Sequence, residues 1–259
     1  MLFASGKRPN RTLIREFADA QSSTSLSHDP LADQPLQLVV NEGETLKRSK
    51  ASQEDETEEF WVELLRDGLT FDLRGLAPGE AESIPATDYR YDVDQSPAAL
   101  RLEAIHLLPG QHLAGGANSV PVLRGLIALA CDLIRHFDDL VAIVWEPARS
   151  LIGRRYFESV ASAWLEGGAF PALGLTSFRE TSDGALQTVG LDFWIGQELR
   201  IEAPLSSEKV EATRLGARIV NQLVIIGGLE QSERITAPDG SHLIMRPSRN
   251  GNFVRVMRE

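Results

Sequence analysis

The sequence predicts an α+β protein: a mixed, largely antiparallel sheet with three long helices packed on it, behind a flexible N-terminal tail. Three observations carry this. Helix-period and strand-period segments follow one another in mixed order, without the regular alternation of a parallel doubly wound fold. Asp-Gly and Asn-Gly pairs at 67–68, 183–184, 239–240 and 250–251 sit between apolar segments, where a tight antiparallel turn needs positive φ. The hydrophobic share is 42%, enough for an ordinary core in one domain of this length.

Residues 1–58 are expected to be the tail, and 59–259 a single α+β domain. "DAQSSTSLSHDPLADQPLQ" and "KRSKASQEDETEEF" are rich in Ser, Asp, Glu and Gln and bury little apolar surface. One short helix is expected near "RTLIREFADA". Lys7, Arg8, Arg11 and Arg15 precede any acid, while residues 54–59 carry five acids in six positions. A tail with separated charge blocks is either only a tail or an arm that folds on a partner.

The domain opens with a hairpin. Phe60, Val62 and Leu64 alternate before Asp67-Gly68, and Leu69, Phe71 and Leu73 alternate after it. A long loop with Pro78, Gly79, Pro85 and Pro97 follows. "ALRLEAIHLLPG" fits both periods, and we assign a strand because it feeds a Gly-rich turn and then a helix. That helix places Val122, Leu123, Leu126, Ile127, Ala130, Leu133 and Ile134 on its apolar face. Asn118 and Ser119 are capping types, and Pro121 belongs in a first turn. "LVAIVW" (140–145) is an unbroken apolar run, as in a strand buried on both faces. The second helix carries Tyr156, Phe157, Val160, Ala161, Trp164 and Leu165 and stops at Gly167-Gly168. Then come a hairpin turning at Asp183-Gly184 and the strand "ELRIEA" with Leu199 and Ile201 inward. A third helix over about 208–226 buries Leu215, Ile219, Val220, Leu223 and Ile226, and a C-terminal meander ends the chain.

Composition also excludes. No apolar run is long enough for a membrane helix, and the first residues lack a secretory h-region, so a cytoplasmic protein with no membrane association is expected. Cys131 is the single cysteine, which rules out an internal disulfide; it reads as core. A net charge of −11 makes nucleic acid an unlikely partner, because phosphate binding relies on Lys and Arg. The C-terminal Arg246, Arg249, Arg255 and Arg258 form a local exception, read as the solvent side of an edge strand. The histidines lack metal-ligand spacing, and the pairs at 92–94 and 138–139 are common in loops, so no metal is expected. No nucleophile elbow and no zinc-helix motif occurs, so no catalytic residue and no cofactor are assigned.

One stretch remains as a ligand-binding candidate. "GQHLAGGANSVPVLRG" (110–125) joins a strand to a helix start, where free N–H groups and the helix dipole favour an anion. His112, Gly115, Gly116, Asn118, Ser119 and Arg124 are its candidate contacts. The Walker and dinucleotide spacings are absent, and the bland alternative is a connection whose glycines take positive φ. The second candidate loop, "VWEPARSLIGRR", follows a buried strand. Glu146 and Arg149 join the same site if that strand and the one at 101–108 run parallel; otherwise they pair with each other. Arg154 and Arg155 open a helix against its dipole, which points to some other use for them.

"VWEPA", "YFESVASAWLEGGAFPALGL" and "GQELRIE" together resemble segments of uncharacterised bacterial domains of unknown function, over roughly 100–202. The resemblance implies a bacterial origin and no activity. The expected function is therefore non-enzymatic protein–protein binding, as an acidic inhibitor or immunity-type partner. The alternative is an enzyme or sensor holding a small anionic or phosphate-bearing ligand between 110–119 and 146–155.

Overall fold

The computed structural model describes residues 1–30, 60–237 and 239–259. They form an α+β fold in which the strands divide among three sheets.

The first sheet has the order β5-β9-β8-β1-β6: Tyr89–Tyr91, Ser150–Gly153, Leu140–Trp145, Leu2–Ala4 and Leu102–Ala104. β5 and β9 are parallel, and the other pairs are antiparallel. The second sheet, β2-β3-β4-β7, is antiparallel throughout: Thr24–His28, Trp61–Arg66, Leu69–Arg74 and His106–Pro109. The third has the order β10-β11-β12-β15-β14-β13. Its strands are Ser177–Glu180, Leu186–Val189, Glu198–Ile201, Phe253–Arg258, His242–Pro247 and Glu233–Thr236, with only β12 and β15 parallel. The helices are α1 (Arg11–Ala20), α2 (Val120–His136), α3 (Arg154–Leu165), the short α4 (Ala172–Leu175) and α5 (Asp192–Ile195), and α6 (Lys209–Ile226).

Residues 1–30 correct the tail assignment. β1 is an interior strand between β8 and β6, and Leu2 and Phe3 are buried. Helix α1 occupies the segment where a short helix was expected. Asn10 caps it by accepting from the Leu13 N–H at 3.0 Å, and Ile14, Phe17 and Ala18 enter the core. Arg11 and Arg15 bind the buried Asp29 carboxylate at 2.8 and 3.0 Å. Composition averaged over 58 residues hides this one amphipathic face. The remainder of the expected tail, 31–58, lies outside the described residues.

The β3–β4 hairpin is as expected: Asp67 (φ 49°) and Gly68 (φ 80°) turn it, and Val62, Leu64, Phe71 and Leu73 are all buried. The turn sets the register Val62↔Leu73 and Leu64↔Phe71, which brings those four side chains to the core. In the 98–109 segment residues 98–101 form a turn and the rest is strand, but it changes sheet at Ile105, so β6 and β7 lie in different sheets. β8 supplies Leu140, Ile143 and Trp145 to the main core and Ala142 to a second, smaller cluster with Leu2, Ala104 and Leu151. In α6, Ile219, Val220 and Leu223 are buried, but Ile226 is exposed in the last turn before Gly227 (φ 80°). β15 is interior to its sheet, and Arg255 pairs with Glu202 at 2.6 Å, so its arginines do not line an edge.

Among the described residues, no helix is long and apolar enough to cross a membrane, and no three His, Cys, Asp or Glu side chains cluster as a metal site.

Candidate functional site

β6 and β8 both run antiparallel to β1, so they point the same way with one strand between them. A cavity of about 470 Å³ lies where they lead, within the usual range of small-ligand sites. Its walls are largely apolar: Leu107 and Leu108 from β7, Leu123 and Leu126 from α2, and Phe193 from α5. The 3-10 turn Gln111–Gly116 and the residues after it contribute Ala114, Ala117 and Asn118. The turn Glu146–Ala148 contributes Glu146 and Pro147. The two candidate loops therefore share one cavity.

Of the eight expected ligand contacts, Asn118 and Glu146 line it; His112, Gly115, Gly116, Ser119, Arg124 and Arg149 do not. The arginines have structural duties. Arg124 donates to the carbonyls of Trp164 (3.4 Å) and Leu165 (2.6 Å) at the end of α3, and its guanidinium lies 4.9 Å from the Trp164 ring centroid. Arg149, left-handed at φ 51°, holds Asp88 at 2.6 Å and keeps that carboxyl below its ordinary pKa. It does not pair with Glu146. Arg154 donates to Ile134 O (2.7 Å) and Asp138 O, closing the end of α2. That bond answers why an arginine opens α3 against the dipole; Arg155 is exposed. His112 sits beside Thr70. The glycines of the loop do not adopt positive φ. Gly110 is required by close approach instead, since a Cβ there would lie 2.3 Å from Thr70 Oγ1. Ser119 occupies the N-cap of α2, but its side chain caps nothing.

Trp145, the last residue of β8, was not singled out, although a Trp closing a buried strand just before Glu-Pro is a visible signal. Its indole stacks on Trp194 (5.7 Å, 27°) and meets Phe193 edge-on (5.7 Å, 85°). It lines the cavity at 8% exposure, and its Nε1–H is buried with no hydrogen-bond partner. A buried unpaired donor costs about 1–3 kcal/mol, so a native fold keeps few of them.

Behind this wall lies a second feature missing from the sequence reading. Glu198 on β12 accepts bonds from Thr188 Oγ1, the Gly190 N–H (2.7 Å) and the Leu191 N–H (3.3 Å). Burial is the largest cause pushing its pKa from 4.5 up to about 7, with Asp192 also raising it. The carboxyl anchors the segment that carries Phe193 into the cavity. Gly190 (φ 86°) completes the anchor: a Cβ there would lie 2.5 Å from Pro147 O, so only glycine lets the 146–148 turn rest on it.

Two further groups are settled by burial. Cys131 is 1% exposed and its thiol is pushed up to about 11, which removes it as a nucleophile. The Met1 amino group donates to Ile105 O at 2.8 Å, and burial lowers its pKa to about 5, so it is uncharged at neutral pH.

No protein-family model matches the chain, and neither does any curated protein or solved structure.

Proposed function

We propose that this is a small-molecule-binding protein whose ligand occupies the cavity at the C-terminal end of β8. The observation that carries it is a largely apolar cavity whose wall holds two polar side chains, Asn118 and Glu146, with no hydrogen-bond or ion-pair partner among the described residues. A ligand's polar groups would satisfy them, and the apolar walls would supply the rest of the binding energy. The arginine placements do not favour the phosphate-bearing ligand that the loop sequence suggested. A ligand-observed NMR screen of apolar fragments tests the proposal, with Ala114→Trp as the control that fills the mouth. Binders are expected, and they should be lost in that variant with thermal stability unchanged. A screen whose only binders survive Ala114→Trp, or which finds none, overturns it.

Protein–protein binding stands as a second reading, favoured by Val210, Ile225 and Ile226 on α6, which are 64%, 75% and 51% exposed. Deleting 1–58 is no test, because it removes β1 and α1. The test is capture from native cytoplasmic extract by the whole chain against the Ile225→Asp, Ile226→Asp double variant. A stoichiometric partner that the double variant loses supports this reading; one retained equally counts against it. Separation of whole native cells into cytoplasmic, membrane and extracytoplasmic fractions checks the expected cytoplasmic location.

A further inference from the structure

We infer that the ligand of this cavity is an ammonium-bearing molecule with an apolar body. This rests on the small-ligand proposal above and adds the chemical class.

The sign of the charge comes from what lines the space. Among the described residues, Glu146 is its only carboxylate, and no Lys or Arg lines it. His106 is the one other titratable side chain among them; its ring is bonded to Ser83 O at 2.9 Å and faces Glu82 at 3.7 Å. The Met1 amine is neutral at pH 7, so it does not offset the negative charge. Arg149, three residues beyond Glu146, is turned to Asp88. Among the described residues, the adjoining opening is lined by Glu146, Pro147, Asp192 and Phe193, which add a second acid and no base. An anion entering here would lose its hydration against like charge, whereas a cation meets an unpaired carboxylate beside aromatic faces.

The orientation comes from depth. Glu146 is exposed at the rim and can only accept when ionised, so the ammonium sits at the mouth. Below it the walls are leucine, alanine, proline and phenylalanine, which fit an apolar body.

Three probes separate these elements by calorimetry at low salt: phenylalaninamide (ammonium, ring and amide carbonyl), 3-phenylpropanamide (no ammonium) and N-acetylphenylalanine (a carboxylate instead). Phenylalaninamide is expected to bind about fivefold tighter than 3-phenylpropanamide, as for one partly exposed ion pair, with the carboxylate weakest. Salt should shrink that advantage. Glu146→Gln should abolish it and leave 3-phenylpropanamide unchanged; Glu146 is exposed and unpaired, so the variant folds. If the amides bind equally, or if Glu146→Gln leaves the preference intact, the ammonium class is overturned while the cavity proposal stands. If none of the three binds, the class and the cavity proposal fall together.

Discussion

The cavity at the end of β8 and the groove between α6 and the β13–β15 strands make an instructive pair. The groove is larger, about 680 Å³ against 470 Å³. Charged side chains line it, including Glu208, Glu211, Arg214, Arg218, Asp239 and Arg258. Several of these are already spent: Arg214 holds Glu211 at 2.6 Å, and Asp239 accepts from Ser241. The smaller cavity has apolar walls and, in Asn118 and Glu146, two polar side chains with no partner among the described residues. Volume alone would choose the groove. What distinguishes a place built to receive something is polar capacity left unused where water is scarce.

That contrast can be broken by substitution. The largest effect is expected at Trp145, where Trp145→Ala removes a ring stacked in the core and should cost about 3–5 kcal/mol. Leu215→Ala, in the half-buried wall of the groove, should cost roughly 1 kcal/mol. Urea titration of the two variants measures the difference, and equal losses would erase the distinction between the two walls.

Next comes pH. Glu198 has a folded pKa raised from 4.5 to about 7, so the folded state holds its proton more tightly than the unfolded state does. Its favourable contribution is complete below about pH 4.5 and is lost as pH rises towards 7, on the order of 2 kcal/mol over that window. The difference in stability between wild type and Glu198→Gln should therefore change across pH 4.5–7 and be flat above it. A difference constant from pH 4.5 to 8 would show that the anchor does not titrate there.

The smallest effects separate support from binding. Arg124→Ala removes two carbonyl bonds and a ring contact and should lower stability by about 1–2 kcal/mol without changing fragment affinity. Arg149→Ala breaks an exposed pair and should likewise leave fragment affinity unchanged, with a smaller loss of stability. A loss of binding in either variant that exceeds its loss of stability would return that arginine to the site.

Much of this was legible along the chain. The β3–β4 hairpin followed from Asp67-Gly68 and two alternating runs, and α2, α3 and α6 followed from their apolar periods. Asn118 and Glu146 were reachable because each sits at the end of an element whose type the sequence shows. What was hidden depends on partners far away in sequence. Arg149 is committed to Asp88, Arg124 to the last carbonyls of α3, and Arg154 to the end of α2; no local pattern announces such pairings. The strands Leu2–Ala4, Tyr89–Tyr91 and Leu102–Ala104 are too short to show a period, and β1 lay inside a segment whose average composition looked unstructured.

The place of β1 also has a consequence in time. At a synthesis rate of roughly 10 residues per second, Leu140–Trp145 leave the ribosome on the order of ten seconds after Leu2–Ala4. Until β6 emerges Leu2 and Phe3 have no strand on either side, and until β8 emerges they have one at most. The nascent chain therefore carries an unclosed sheet centre through that interval, the period in which holding chaperones have most to bind.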